Sequence, residues 1–193
     1  WRPSFSLGLH GRTLGLYGLG KIGSLIAATG ASFGMRVLVW GRETTLARAK
    51  AAGYAVATSK NELFEQSDVL SLMLRLTDAT RGIVAEADLA RMKPAALIVN
   101  TARAELIAPG ALVEALKQGR PGYAAVDVYE NEPVLGGDHP LLGLDNALCT
   151  PHSAWVEQNT YELYFGEAFD NLLAYAAGKT VNLLNPEVLV RKP

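Results

Sequence analysis

Short apolar runs alternate with longer segments of helical spacing almost from the start of the chain. Thr13–Gly18 (TLGLYG) reads as a buried strand, and Ile22–Phe33 as a helix rich in small residues that packs closely on a sheet. MRVLVW, ending at Trp40, predicts a second strand, and an Ala-rich helix follows around Leu46–Ala52. Next come a short strand (YAVA), a helix (KNELFEQS), a strand (DVLSLML), a helix near Ala85–Met92 and a strand (AALIVNT). A helix runs from Pro109 to about Gln118, Gly119 and Pro121 break it, and GYAAVDVY is another strand. Strands apolar on both faces and separated by helices predict a parallel sheet covered on two sides, a Rossmann-type doubly wound α/β fold.

The last third changes character. ENEPVLGGDHPLLGLDN has the Gly, Pro and Asp content of a loop, and a short strand (ALCTPH) follows it. Val156–Ala177 then carries the spacing of a long amphipathic helix, with Gly178 placed to end it and an extended tail to Pro193. The expected organisation is a dinucleotide-binding domain over residues 1–155 and a C-terminal helix and tail over 156–193.

Composition narrows the function classes. The 193 residues are 49 % hydrophobic with a formal net charge of −1, so nothing suggests a nucleic-acid or anionic-membrane partner. Cys149 is the only cysteine, which excludes an internal disulfide and a cysteine metal cluster and fits a reducing, cytoplasmic compartment. No apolar run reaches the roughly 20 residues of a membrane span. The chain opens with WRPSFSLGLHGRT, without an initiator Met or a signal-peptide pattern, and is read as a piece that begins partway through a longer protein.

GLYGLGKIG supplies the first chemistry. Gly18, Gly20 and Gly23 follow a predicted strand and open a predicted helix, the context that a dinucleotide site requires. Gly18 permits a tight turn, Gly20 lets the backbone approach a pyrophosphate, and Gly23 allows close helix–strand packing. Lys21 and Ile22 complete the loop, and the helix N-terminus offers free N–H groups and its positive dipole end to the phosphates.

Three later segments are more specific jointly than the glycine loop alone: VNTARAELI (Val99–Ile107), AAVDVYENEP (Ala124–Pro133) and CTPHSAW (Cys149–Trp155). In this order the chain, from about Leu9 to Asn185, resembles the D-isomer-specific 2-hydroxyacid dehydrogenases. The resemblance implies that Arg103 binds substrate, that His152 is the catalytic histidine and that Glu132 is its acid partner. It places Asp127 near the nicotinamide carboxamide, Thr101 and Ala102 on the cofactor side, and Thr77 at the adenosine side of the cleft. It also implies a substrate-binding domain ahead of the glycine loop, a homodimer of the full-length protein, and contributions to that interface from the region around Leu70–Val84.

The residue types make chemical sense by themselves. A guanidinium such as Arg103 can bind the carboxylate and ketone of a 2-oxo acid through forked, charge-assisted hydrogen bonds. Hydride addition to the ketone leaves an oxyanion that needs a proton, and imidazole is suited to give it near neutrality. A carboxylate such as Glu132 favours the protonated imidazole and fixes its orientation. Glu130 is a rival for that position, and the place of Glu132 directly before Pro133 decides between them. His139 is read as a loop-shaping residue, His10 as preceding the first strand, and Cys149 as a small buried hydrophobe.

Two departures bear on the cofactor. Gly41 stands where relatives carry the acid that binds the ribose 2′-hydroxyl, and Arg42 offers a cation to a 2′-phosphate, which favours NADP(H) slightly over NAD(H). Glu43 turning inward is the alternative. Arg75, where relatives often have Pro, reaches either a phosphate or solvent. The expected function is an oxidoreductase acting with NAD(P)H on a small 2-oxo or D-2-hydroxy acid, in the manner of a glyoxylate or hydroxypyruvate reductase. Phosphoglycerate dehydrogenase is the alternative within the class, and a nucleotide-sensing, corepressor-like binding protein the alternative outside it.

Overall fold

The computed structural model describes residues 7–187, so expectations for the first six residues and for the tail beyond Glu187 lie outside the described residues. The chain divides into two compact units, Trp1–His152 and Ser153–Pro193. The first is a seven-stranded, all-parallel sheet in the order β3-β2-β1-β4-β5-β6-β7.

Its strands are β1 (Thr13–Tyr17), β2 (Arg36–Trp40), β3 (Ala55–Val56), β4 (Val69–Leu72), β5 (Leu97–Asn100), β6 (Tyr123–Val126) and β7 (Ala147–Cys149). Helices α1 (Lys21–Ser32), α2 (Glu43–Ala51), α3 (Lys60–Gln66), α4 (Glu86–Leu89) and α5 (Ala111–Lys117) connect them. The alternation of side chains along each strand divides the core in two. Leu14, Leu16, Val37 and Val39 pack with Ala27 of α1 and Ala49 of α2. Tyr17, Leu38, Leu70, Leu72, Ile98 and Val126 pack with Leu63 and Phe64 of α3, Leu89 of α4 and Leu112 of α5. The two-sided, doubly wound sheet follows from strands apolar on both faces.

One expectation needs correction. The helix near Ala85–Met92 contracts to Glu86–Leu89, because Lys93–Pro94 and the turn before β5 take over at once. In the Leu70–Val84 region Leu70, Leu72 and Val84 are fully buried in this chain's own core, while Met73, Leu74, Leu76 and Ile83 keep part of their surface exposed.

The N-terminal ends of the strands are tied by Asp68. Its carboxylate accepts hydrogen bonds from the Thr13 backbone N–H at 2.8 Å and from Lys93 Nζ at 2.8 Å, with Arg12 at 3.8 Å. At the same end of the sheet an apolar groove of about 520 Å³ is lined by Leu9, Val69, Leu97, Tyr123 and Leu148.

The second unit is built on α6 (Gln158–Ala176). The Glu157 side chain caps it, accepting from the backbone N–H groups of Asn159 and Thr160 at 3.0 and 2.9 Å. Gly178, at φ 72°, ends it: its N–H donates to Tyr175 O and that of Lys179 to Ala174 O, the paired bonds of a Schellman stop. No residue of α6 is buried, so Phe165, Phe169, Leu172 and Leu173 keep their apolar surface exposed. Among the described residues no helix is long and apolar enough to cross a membrane, and no group of three or more His, Cys, Asp or Glu is placed to hold a metal ion.

Candidate active site

The strand order reverses between β1 and β4, and in a doubly wound sheet the crevice beyond the carboxyl ends of the strands opens at such a point. Here it is a cleft of about 1190 Å³ that reaches from the end of β2 to the end of β5. Gly18, Gly20, Lys21, Ile22, Gly23, Gly41, Arg42, Thr77, Thr101, Ala102 and Arg103, all named from sequence, line it.

The glycine loop fits a dinucleotide on three observations. Gly18 has φ +102°, and a Cβ there would lie 2.5 Å from the Met73 carbonyl oxygen, so the turn excludes any larger residue. A Cβ on Gly23 would press on the Gly18 carbonyl at 3.1 Å. Gly20 differs, because a Cβ on it would meet no atom within 4 Å and would occupy the cleft itself. Gly20 is the N-cap of α1, where no side chain caps the helix and no acid lies in the first turn, so the free N–H groups and the dipole face the cleft.

The charged lining of the cleft is cationic. Lys21, Arg42, Arg48, Arg75 and Arg103 all reach the cleft, and no Asp or Glu contributes to its wall. Glu43 begins α2 on the exposed surface, beside Arg42 at the N-cap. A Cβ on Gly41 would lie 2.9 Å from Thr45 Cγ2, so the usual acid has no ready space in this slot. Arg48 donates to the Leu19 carbonyl within the glycine loop. Sequence reading missed Arg48, although its spacing of three from Thr45 on α2 places both on one helix face. Arg75 stands at the rim, where Thr80 Oγ1 donates to its carbonyl at 2.7 Å and closes a tight turn after β4.

Arg103 is presented by a turn that Asn100, at the end of β5, builds from its side chain. Asn100 Oδ1 accepts from the Ala102 N–H at 3.1 Å, and Asn100 Nδ2 donates to the Arg103 carbonyl at 2.9 Å. Asn100 is 2 % exposed, so the turn rests on a fully enclosed amide.

Beyond β6 and β7 two histidine–carboxylate pairs form. His152 Nδ1 lies 2.6 Å from Glu132 Oε2, and His139 Nε2 lies 3.0 Å from Glu130 Oε2. The two glutamates of the ENEP stretch thus divide between two histidines. His139 also caps a short 3-10 turn, its Nδ1 accepting from the Leu141 N–H at 3.3 Å, as befits a loop-shaping residue. Partial burial pushes the Glu132 carboxyl upward, but the Tyr129 backbone N–H, the His152 hydrogen bond and the charges of His152 and Arg103 outweigh it and hold the carboxyl below its usual value. An ionised carboxylate only accepts, so His152 Nδ1 carries the proton and Nε2 is left for chemistry. The influence of Arg103 on Glu132 also places the guanidinium within electrostatic reach of the pair.

His152 has φ +53°, a left-handed backbone that a non-glycine residue adopts at some cost in strain, and such strain clusters at functional sites. Asp127, directly after β6, is 3 % exposed and accepts a short hydrogen bond from Thr150 Oγ1. Cys149 is half-buried rather than enclosed and sits beside the Tyr129 phenol.

Comparison with known proteins agrees with this geometry. The family described as D-isomer specific 2-hydroxyacid dehydrogenase, NAD binding domain, matches residues 1–154. The glyoxylate reductase of Aeropyrum pernix is 42 % identical over 197 residues, which cover 100 % of this chain and 58 % of that protein. The chain therefore spans little more than half the length of such relatives. Among solved structures, a phosphoglycerate oxidoreductase from Vibrio cholerae superposes with TM-score 0.85 at 53 % identity, over 91 % of this chain and 56 % of that one. An acyclic imino acid reductase in complex with NADPH and D-Arg superposes with TM-score 0.73 at 32 % identity, over 93 % and 56 %. With the glycine cradle, the parallel sheet and a family match over four-fifths of its length, the chain belongs to the D-isomer specific 2-hydroxyacid dehydrogenases, whose NAD-binding domain it forms.

Proposed function

We propose that this chain is the cofactor-binding and proton-donating half of an oxidoreductase that interconverts a small 2-oxo acid and its D-2-hydroxy acid, glyoxylate or hydroxypyruvate being the favoured substrates. The observation that carries the proposal is the 2.6 Å His152–Glu132 pair with Arg103 in electrostatic range, at the same sheet edge as the glycine cradle. A nicotinamide held in the cleft would supply the hydride for the ketone carbon. Arg103 holds the substrate carboxylate, His152 Nε2 donates a proton to the ketone oxygen, and Glu132 keeps Nδ1 protonated and the ring oriented. Similarity to glyoxylate reductases over the whole chain supports the choice of substrate. Phosphoglycerate is the second substrate to test, favoured by the 53 % identity to a phosphoglycerate oxidoreductase.

For the cofactor we propose NADP(H), Arg42 binding the 2′-phosphate. The acid-free, arginine-rich wall supports this, as does the exposure of Glu43. We further propose that the working enzyme carries a substrate-binding domain like that of its longer relatives, assembles as a homodimer and acts in the cytoplasm, where a lone Cys149 fits reducing conditions. Purified full-length enzyme, assayed with NADPH and NADH against glyoxylate, hydroxypyruvate and 3-phosphohydroxypyruvate, tests the whole reading. Turnover of a 2-oxo acid is expected, and its absence with every pair would leave a nucleotide-sensing binding protein as the better description.

A further inference from the structure

Tyr129 holds Glu132 directly and also bonds the turn that carries His152, yet the sequence reading gave it no role. Its backbone N–H donates to Glu132 Oε1 at 2.8 Å, while Oε2 of the same carboxylate holds His152. Its phenol O–H donates to the Thr150 carbonyl at 2.9 Å. That carbonyl has a second donor, the His152 backbone N–H at 3.1 Å, which closes the three-residue turn Thr150–Pro151–His152. The turn delivers His152 in its left-handed conformation, so its closing acceptor is a point where the ring can be steadied or lost.

The phenol is well held. Tyr129 is 8 % exposed, and its ring meets the edge of His139 at 5.0 Å. Burial, followed by the neighbouring Cys149, Asp127 and Glu132, pushes the phenol up to about 12, so the hydroxyl keeps its proton and remains a donor throughout the working range. Thr150 is fixed from its other side by the hydrogen bond from its Oγ1 to Asp127. The loop carrying Glu132 and the turn carrying His152 are thus joined twice, once through the catalytic pair and once through Tyr129.

We propose that Tyr129 is a positioning residue for the acid–base pair: its N–H aims the Glu132 carboxylate, and its O–H anchors the turn that presents His152. This rests on His152 and Glu132 being the proton-donating pair. A phenylalanine at this position keeps the ring and the backbone N–H but cannot hold Thr150, so the hydroxyl is the part that a single substitution isolates.

The test is Tyr129→Phe in the full-length enzyme, alongside His152→Gln, with imidazole nitrogen NMR on the same proteins. This domain contributes only three histidines, and His10 serves as an internal control. Loss of one hydrogen bond predicts a fall in kcat of about tenfold, with substrate KM and NADPH affinity unchanged within about twofold. The His152 Nδ1–H resonance should move while that of His10 stays in place, and melting should change by only a few degrees. Wild-type kcat together with an unmoved His152 resonance, in a background where His152→Gln is inactive, overturns the role of Tyr129. Full activity of His152→Gln overturns the underlying pair as well. A uniform loss of cofactor affinity, substrate affinity and thermal stability overturns the positioning role in favour of a purely structural one.

Discussion

The 2.6 Å contact between His152 Nδ1 and Glu132 Oε2 joins residues 20 apart in sequence, one following β6 and the other following β7. With Glu132 ionised, the contact leaves the proton on Nδ1, and Nε2 is the nitrogen proposed to serve the substrate.

Glu132→Gln should keep the fold and lower kcat by about 10²-fold, and His152→Gln should lower it by about 10³-fold or more. The pH dependence has a definite sign. Because the Glu132 carboxyl lies below its ordinary 4.5, the pair is intact above that pH and is lost only as pH falls through the lower folded value. The acid limb of the kcat/KM profile that belongs to Glu132 should therefore fall below pH 4.5, and Glu132→Gln should abolish that limb. Rate measurements from about pH 3.5 to about pH 8, which bracket the ordinary carboxylate and imidazole values, check both statements.

Gly18 and Gly20 should respond oppositely to alanine. Gly18→Ala sets a Cβ 2.5 Å from a backbone oxygen at a positive φ, and a loss of about 2 kcal/mol or more is expected in chemical denaturation. Gly20→Ala meets open space, so stability should change by less than about 0.5 kcal/mol. A methyl group there would hinder the close approach of a pyrophosphate to the backbone, and NAD(P)H affinity should fall by about tenfold or more in a fluorescence titration.

The coenzyme preference should reside in Arg42. Arg42→Ala is expected to reduce the ratio of kcat/KM for NADPH over NADH by about tenfold or more, and an unchanged ratio would remove the 2′-phosphate role. Restoring the acid with Gly41→Asp should fail alone, because Thr45 Cγ2 sits 2.9 Å from the new Cβ. Combined with Thr45→Ala, the same change should move the preference toward NADH.

Asp68 should set part of the acid stability. Partial burial raises its carboxyl, but Lys93, the Thr13 N–H and Arg12 together hold it below the ordinary 3.8. Its contribution is thus complete above pH 3.8 and disappears as pH falls through the folded value. Asp68→Ala should cost about 2 kcal/mol at neutral pH, or roughly 4–8 °C in Tm, with the gap to wild type closing in acid.

The alternation of apolar runs and helical segments was enough to place all seven strands, because a short apolar run between two helical segments leaves little room for another helix, even at the partly exposed β3, β6 and β7. The glycine loop and the NTAR segment named residues that line the cleft, and the ENEP and TPH segments named two side chains that meet at 2.6 Å, because each lies on a short local stretch. What the sequence concealed depends on contacts between distant segments. Asp127 pairs with Thr150, 23 positions later, and no local pattern announces that partner. Arg48 looks like any exposed helix cation until α2 folds back onto the Leu19 carbonyl 29 positions away. Tyr129 reads as core, and only the return of the chain after β7 brings the Thr150 carbonyl to its hydroxyl.

The strand order has a consequence for how this enzyme can be altered. The residues proposed to choose the coenzyme follow β2, those proposed to move the proton follow β6 and β7, and four or five strand spacings lie between them. At about 4.8 Å per spacing that is a separation of roughly 20 Å or more. Substitutions so far apart combine additively in free energy. A reversal of coenzyme choice at Gly41, Arg42 and Thr45 should therefore multiply, without interference, with any change made at Glu132 or His152, so that nucleotide preference and acid–base chemistry can be tuned as independent traits.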